Sequence, residues 1–186
     1  MGLFQVHLAM EAMTSAARPP EEDGAGIDFA WKVHEALSTW TGRVDTKASI
    51  VLTLEVATLS FAIALTDGTK LFASLSGWRA CVFAIGLALA GFGILAATAV
   101  VFPQLARRKA RADWQNGFVY FGHLRRWAPV DLESTLEQLT PREVRRALST
   151  QLVTMSKIAW RKHGLLQASV LFGIAAAVAF AVAGIS

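Results

Sequence analysis

Three stretches of the chain, 48–66, 78–102 and 165–185, are apolar over about the twenty residues that a helical bilayer crossing needs. The first follows without proline or other interruption from a charged stretch, Arg43-Val44-Asp45-Thr46-Lys47, and it carries a single carboxylate, Glu55. That pattern predicts one helix passing from water into lipid, with a charged collar at the boundary. Ahead of the collar, Phe29, Val33, Leu37, Trp40 and Val44 recur at spacings of 4, 4, 3 and 4. They form one apolar face of an amphipathic helix over 27–47, with Asp28 as its N-cap and Lys32, Glu35 and Arg43 off the face. Val144, Leu148, Leu152, Met155 and Ala159 repeat the same rhythm before the third span. A lone amphipathic helix of this size is marginal, so the two stretches are expected to pack together.

The remaining segments fit between these elements. Residues 1–26 contain Arg18-Pro19-Pro20-Glu21-Glu22-Asp23-Gly24 and read as a flexible tail without a secretory signal. Met10 and Met13 are alternative starts. The connection 67–77 opens on the turn Asp67-Gly68-Thr69-Lys70. Trp78 and Arg79 suit one interface of the second span and Arg107-Arg108-Lys109 the other, with Pro103 at its end. In the polar region 103–164, helix is expected over 106–115, with Trp114, Phe118, Phe121 and Leu124 carrying its stripe past Asn116-Gly117. Helix is also favoured over 119–123, before a break at Trp127-Ala128-Pro129 and a short helix over 131–139. Thr140-Pro141-Arg142-Glu143 has the residues of a capping box, opening a helix that continues into the third span. The expected fold class is an all-α integral membrane protein, with three transmembrane helices and a helical bundle built from their extensions.

Composition agrees with lipid as the sink for this apolar surface: 54% of the 186 residues are hydrophobic and the mean hydropathy is +0.43. One cysteine (Cys81) and four scattered histidines (His7, His34, His123, His163) leave no disulfide framework and no recognisable metal spacing. Residues 1–47 hold four Lys/Arg against seven acids, whereas residues 107–162 hold twelve against five. Beside apolar spans, the basic region reports membrane orientation and lipid headgroups before it reports nucleic acid. The positive-inside rule puts 103–164 and the N-terminus in the cytoplasm, with the 67–77 connection and the C-terminus outside.

Glu55 is the first candidate functional residue, because a carboxylate inside a span is costly and faces protein or a water-filled path. It is either a pore-lining or gating group, or a buried acid that is bonded to Thr53, Thr58 or a neighbouring helix or is simply protonated. Gly86, Ala90, Gly93 and Ala97, and likewise Gly173, Ala177 and Ala181, are small-residue stripes that let helices approach, within one chain in preference to between copies. Tyr120, His123, Arg125, Arg126 and Trp127 combine aromatic and guanidinium groups, which suits a nucleotide or an interfacial collar. No glycine-rich phosphate loop, zinc-protease motif or nucleophile elbow is present, so catalysis is not expected.

Three short motifs at the predicted membrane boundaries carry a family resemblance. Asp45-Thr46-Lys47-Ala48-Ser49 resembles the D-x-K-A-S collar of the transmembrane effectors of Pycsar antiphage systems. Tyr120-Phe121-Gly122-His123-Leu124 is similar to that family's Y-F-G segment. Gln151-Leu152-Val153-Thr154-Met155-Ser156-Lys157-Ile158-Ala159, with Lys162-His163, resembles its approach to the last span. The resemblance implies a homo-oligomeric inner-membrane effector paired with a pyrimidine cyclase encoded nearby. The cyclase makes cyclic CMP or cyclic UMP on infection, and the effector responds by impairing the membrane, causing abortive infection. No cofactor is implied beyond that activating nucleotide. The 59 residues from Gln104 to Lys162 are too few for a β-barrel nucleotide domain. A pocket in this chain would therefore be helical, with Tyr120, His123, Arg125 and Arg126 as candidates. Asp45 and Lys47 are the expected signal-coupling collar. A SLATT-type pore-forming effector and a non-conducting membrane scaffold are the alternatives.

Overall fold

The computed structural model describes residues 20–68, 71–72, 75–102 and 118–185. The expected helix over 106–115, the basic triplet 107–109, Pro103, Trp114, Asn116-Gly117 and residues 1–19 lie outside these. The described residues form five helices and no strand: α1 (Pro20–Ala64), α2 (Trp78–Val101), α3 (Phe121–Leu124), α4 (Pro129–Glu137) and α5 (Pro141–Ile185). Of these, α1, α2 and α5 are long and apolar enough to cross a membrane. The protein is an all-α membrane protein, as the apolar pattern predicts.

Several boundaries differ from those expected. The helix α1 begins at Pro20, not after a cap at Asp28, so Gly24 and Gly26 fall inside it. Proline is well placed at a helix start, where a backbone N–H would have no intrahelical partner. It ends at Ala64, two residues early, where Thr66 turns its hydroxyl back to the Ile63 carbonyl at 2.7 Å. Only one turn of helix forms in the aromatic segment, because Tyr120 is extended (φ −89°, ψ 126°). The short helix runs Pro129–Glu137, with proline again at its start.

The residues fall into two compact units. One, comprising 38–105 and 156–186, is a three-helix bundle. Its core positions on α2 are Phe83, Gly86, Ala90, Gly93, Ala97 and Val100, alternating by three and four. Those on α5 are Leu166, Ser169, Ala176, Phe180 and Ala183, with Gly173 half-buried in the same series. Ala48, Glu55 and Ala62 mark the seam on α1 at intervals of seven. This is the heptad repeat of helices packed at a shallow angle. The stripe on α5 is therefore Gly173-Ala176-Phe180, and the expected Ala177 and Ala181 face outward. Their place on the core face is taken by residues one position away.

Contacts within this unit make α1 and α5 parallel and α2 antiparallel to both. Ala48, Val100 and Leu166 meet at one end; Ala62, Phe72, Phe83 and Phe180 meet near the other. There the Arg79 guanidinium donates to the Ala183 carbonyl through Nε (3.0 Å) and Nη2 (2.8 Å). That carbonyl belongs to the last turn of α5, where helix geometry leaves acceptors without partners. Outside the seam, large apolar side chains point away from the protein: Leu54 is 62% exposed and Leu171 68%. A water-soluble bundle would place polar groups at such positions, whereas lipid accepts them.

The other unit groups the start of α1 (to Leu37) with α3, α4 and α5 up to Met155. Leu37 and Leu148 are buried and Val33 and Val144 half-buried, but Phe29 turns outward at 68% exposure, as does Trp40 further along α1, in the bundle unit, at 59%. The apolar face of α1 is thus narrower than its sequence spacing suggests. The start of α5 is fixed by the expected capping box. Glu143 N–H donates to Thr140 Oγ1 (3.3 Å), and both Thr140 N–H (2.9 Å) and Thr140 Oγ1 (2.7 Å) donate to Glu143 Oε2. The Thr140 backbone N–H, and secondarily its hydroxyl, hold the Glu143 carboxyl below the ordinary carboxylate range. A lowered folded value means the cap's stabilisation is complete above the ordinary carboxylate pKa and is lost as pH falls through the lowered one. Thr140→Ala is expected to speed hydrogen exchange at the Glu143 and Val144 amides and to weaken, without abolishing, its acid dependence, because the backbone N–H at position 140 still donates to Glu143. An unchanged exchange profile would remove the box from the helix start.

Candidate functional site

Two polar contacts cross the apolar seam between α1 and α5. The first lies where the sequence changes from charged to apolar. Lys162 Nζ donates to Asp45 Oδ1 at 2.6 Å. Lys162 is only 6% exposed, so its charge is taken out of water and neutralised by this one carboxylate. The pair joins two of the motifs that carried the family resemblance, the collar and the approach to the last span. Lys47, the other expected collar residue, is exposed on the far side of the helix.

The second contact lies ten residues further along α1, about 15 Å at the helical rise. Glu55 is 6% exposed and occupies a core position of the heptad. Its Oε1 accepts from Ser169 Oγ on α5 at 2.8 Å, while Oε2 has no hydrogen-bond partner among the described residues. Neither of the expected threonines holds it: Thr53 and Thr58 donate to the backbone carbonyls of Ser49 and Leu54. Such back-bonding within a helix is the usual fate of threonine in an apolar span.

Room for the carboxylate comes from glycines. A Cβ on Gly93 would lie 2.8 Å from Glu55 Oε1, and one on Gly173 would lie 3.0 Å from the same atom. Two of the small residues expected to admit helix backbones instead form the walls of a slot for one side chain. Gly86 makes room for the Phe180 ring, while Ala90 and Ala97 are buried in the seam. An apolar groove between α1 and α5, lined by Val51, Leu54, Thr58, Val170 and Ile174, runs past Glu55. Chemically, the slot is a lone acid held away from water by one hydroxyl and two glycines. Nothing in the sequence singles out Ser169, since a serine in an apolar span carries no distinctive signal.

The aromatic and basic candidates lie in the other unit. Tyr120 and His123 stack edge to face, with ring centroids 5.3 Å apart, and Tyr120 also meets Phe121 at 4.6 Å. The missing side chain of Gly122 makes this possible, because a Cβ there would collide with the Tyr120 ring. The tyrosine and glycine of the Y-F-G segment are thus a packed pair. Arg125 is exposed and Arg126 half-buried at the end of α3. Their backbone amides close its last turn onto the Phe121 and His123 carbonyls. The structure therefore brings together Tyr120 and His123 and leaves the two arginines beside them. Among the described residues, no group of His, Cys, Asp or Glu has the geometry to hold a metal ion.

The family model described as the Pycsar effector protein domain matches residues 29–186. No curated protein and no solved structure matches the chain.

Proposed function

This chain belongs to the Pycsar effector family, and from that membership we propose that it is the non-enzymatic, nucleotide-activated membrane effector of its antiphage system. Family and fold together make it an inner-membrane protein of Pycsar defence. In the proposed orientation, the N-terminus and the region between α2 and α5 are cytoplasmic and the C-terminus is periplasmic. A cyclic pyrimidine mononucleotide, cyclic CMP or cyclic UMP made by a partner cyclase, is the activating ligand. Tyr120 and His123 offer rings to its base, and Arg125 and Arg126 offer charge to its phosphate. Binding favours a second packing of α5 against α1. Copies of the chain then assemble and the membrane loses integrity, ending the infection with the cell.

Family membership carries this reading, and the resting state within it rests on Glu55, buried in a membrane span on a single hydroxyl. Such a contact is strong enough to define a resting state and weak enough to be exchanged for water when helices part. Co-expression with a pyrimidine cyclase tests the whole reading. Membrane depolarisation and phage protection are expected only when both proteins are present; neither appearing with both present sinks it. Glu55→Gln keeps the size and the acceptor for Ser169 but removes the titratable group. At equal expression it is expected to change the leak that activation produces, and a leak identical to wild type would remove Glu55 from the conducting state.

A further inference from the structure

We infer that the Asp45 end of the three-helix bundle is a binding collar for anionic phospholipid headgroups, built from two matching sets of one tryptophan and two cations. On α1 the set is Trp40, Arg43 and Lys47; on α5 it is Lys157, Trp160 and Arg161. In each set the cations are four residues apart and the tryptophan is three residues from one of them, so each set lies in one stripe, within a sector of about 100° on its helix. All six side chains are exposed, Trp160 to 81%.

Charge is the first argument. Within 38–47 and 156–166 the only acid is Asp45, and it is taken by Lys162. Arg43, Lys47, Lys157 and Arg161 therefore stand without an ion pair among the described residues. Like charges four apart on a helix repel, and an anion lying between them relieves both. Because the Asp45–Lys162 pair faces the seam, both stripes are turned outward from it.

Continuity with the lipid-facing surface is the second argument, and it selects a lipid over a free phosphate. The stripes end where the exposed apolar side chains Ile50 and Leu54 begin on α1, and Val170 and Leu171 follow on α5. Tryptophan favours the boundary between headgroup and acyl chain, with its ring in the apolar layer and its N–H toward water. A phosphate held there by Arg or Lys has its own acyl chains lying along the apolar helix face below. The collar is independent of the nucleotide reading, since it involves none of Tyr120, His123, Arg125 or Arg126.

The test uses the full chain reconstituted in phosphatidylcholine vesicles containing a minor fraction of phosphatidylglycerol, with brominated forms of each lipid quenching tryptophan fluorescence. Wild type is expected to associate with phosphatidylglycerol about fivefold more strongly than with phosphatidylcholine. The preference is expected to fall to near equality in R43Q/K47Q/K157Q/R161Q. It should also weaken as salt rises from about 0.1 M to about 1 M, which shortens the screening length from about 10 Å to about 3 Å. If the quadruple variant fails to insert, R43Q/K47Q and K157Q/R161Q are each expected to lose part of the preference. The charge-preserving R43K/R161K should keep it. Equal association of the two lipids with wild type overturns the proposal, as does an undiminished preference in the glutamine variants. Displacement of phosphatidylglycerol by cyclic CMP would also overturn it, by assigning the cations to the nucleotide.

Discussion

Gly93→Ala is expected to make the protein toxic in cells that contain no cyclase. The added Cβ would lie 2.8 Å from Glu55 Oε1 and 3.1 Å from its Cδ, closer than such contacts allow. The carboxyl group is the end of a flexible side chain, so it moves before the helices do. Moving it breaks its hydrogen bond with Ser169 and leaves both groups buried without partners, at a cost of about 1–3 kcal/mol. The contact that closes the α1–α5 seam is then lost without any nucleotide. Gly91→Ala is the matched control, because a Cβ there meets nothing within 4 Å. Growth arrest and loss of membrane potential on induction of the first variant, but not the second, is the expected result. If both variants grow like wild type at equal membrane levels, the Glu55 slot does not hold the resting state.

The second large effect is an asymmetry. Asp45→Ala is expected to destabilise the bundle by about 3 kcal/mol, because it strands the buried Lys162 charge. Lys162→Met keeps an apolar stem in place and strands only Asp45, whose side chain is 38% exposed and can hydrate. That change is expected to cost about 1 kcal/mol or less. The reversed pair, Asp45→Lys with Lys162→Asp, should recover part of the larger loss. Reversible unfolding in mixed micelles measures all three. Equal losses for the two single variants would show that the burial of Lys162 is not what the pair offsets.

Much of this arrangement was legible in the sequence, for identifiable reasons. The spans follow from apolar length alone, because lipid imposes one requirement on every residue. Glu55 stood out as the only acid in a span, and Asp45 as the acid of a charged collar. Their partners did not stand out, since Ser169 and Lys162 are 114 and 117 residues away and only the parallel register of α1 and α5 selects them. Gly93 and Gly173 were visible as small residues, but spacing cannot distinguish a glycine that admits a helix from one that admits a carboxylate. Ala177 and Ala181 read as core when spacing on α5 runs in fours from Gly173, whereas heptad packing alternates three and four. The early start of α1 was hidden by Pro20, Gly24 and Gly26, whose composition resembles that of a tail.

The two fastenings of the α1–α5 seam also differ in reach. Asp45 and Glu55 are ten residues apart on α1, while Lys162 and Ser169 are seven apart on α5. Lys162 is therefore rooted nearer the Glu55 level and stretches back along the helix to meet its carboxylate. Its four-carbon arm can swing to follow a sliding partner, but the short serine hydroxyl cannot. An axial slip of α5 would part Ser169 from Glu55 while the ammonium still gripped Asp45. The seam would then come undone from one end only, leaving the helices hinged at the other and able to close again.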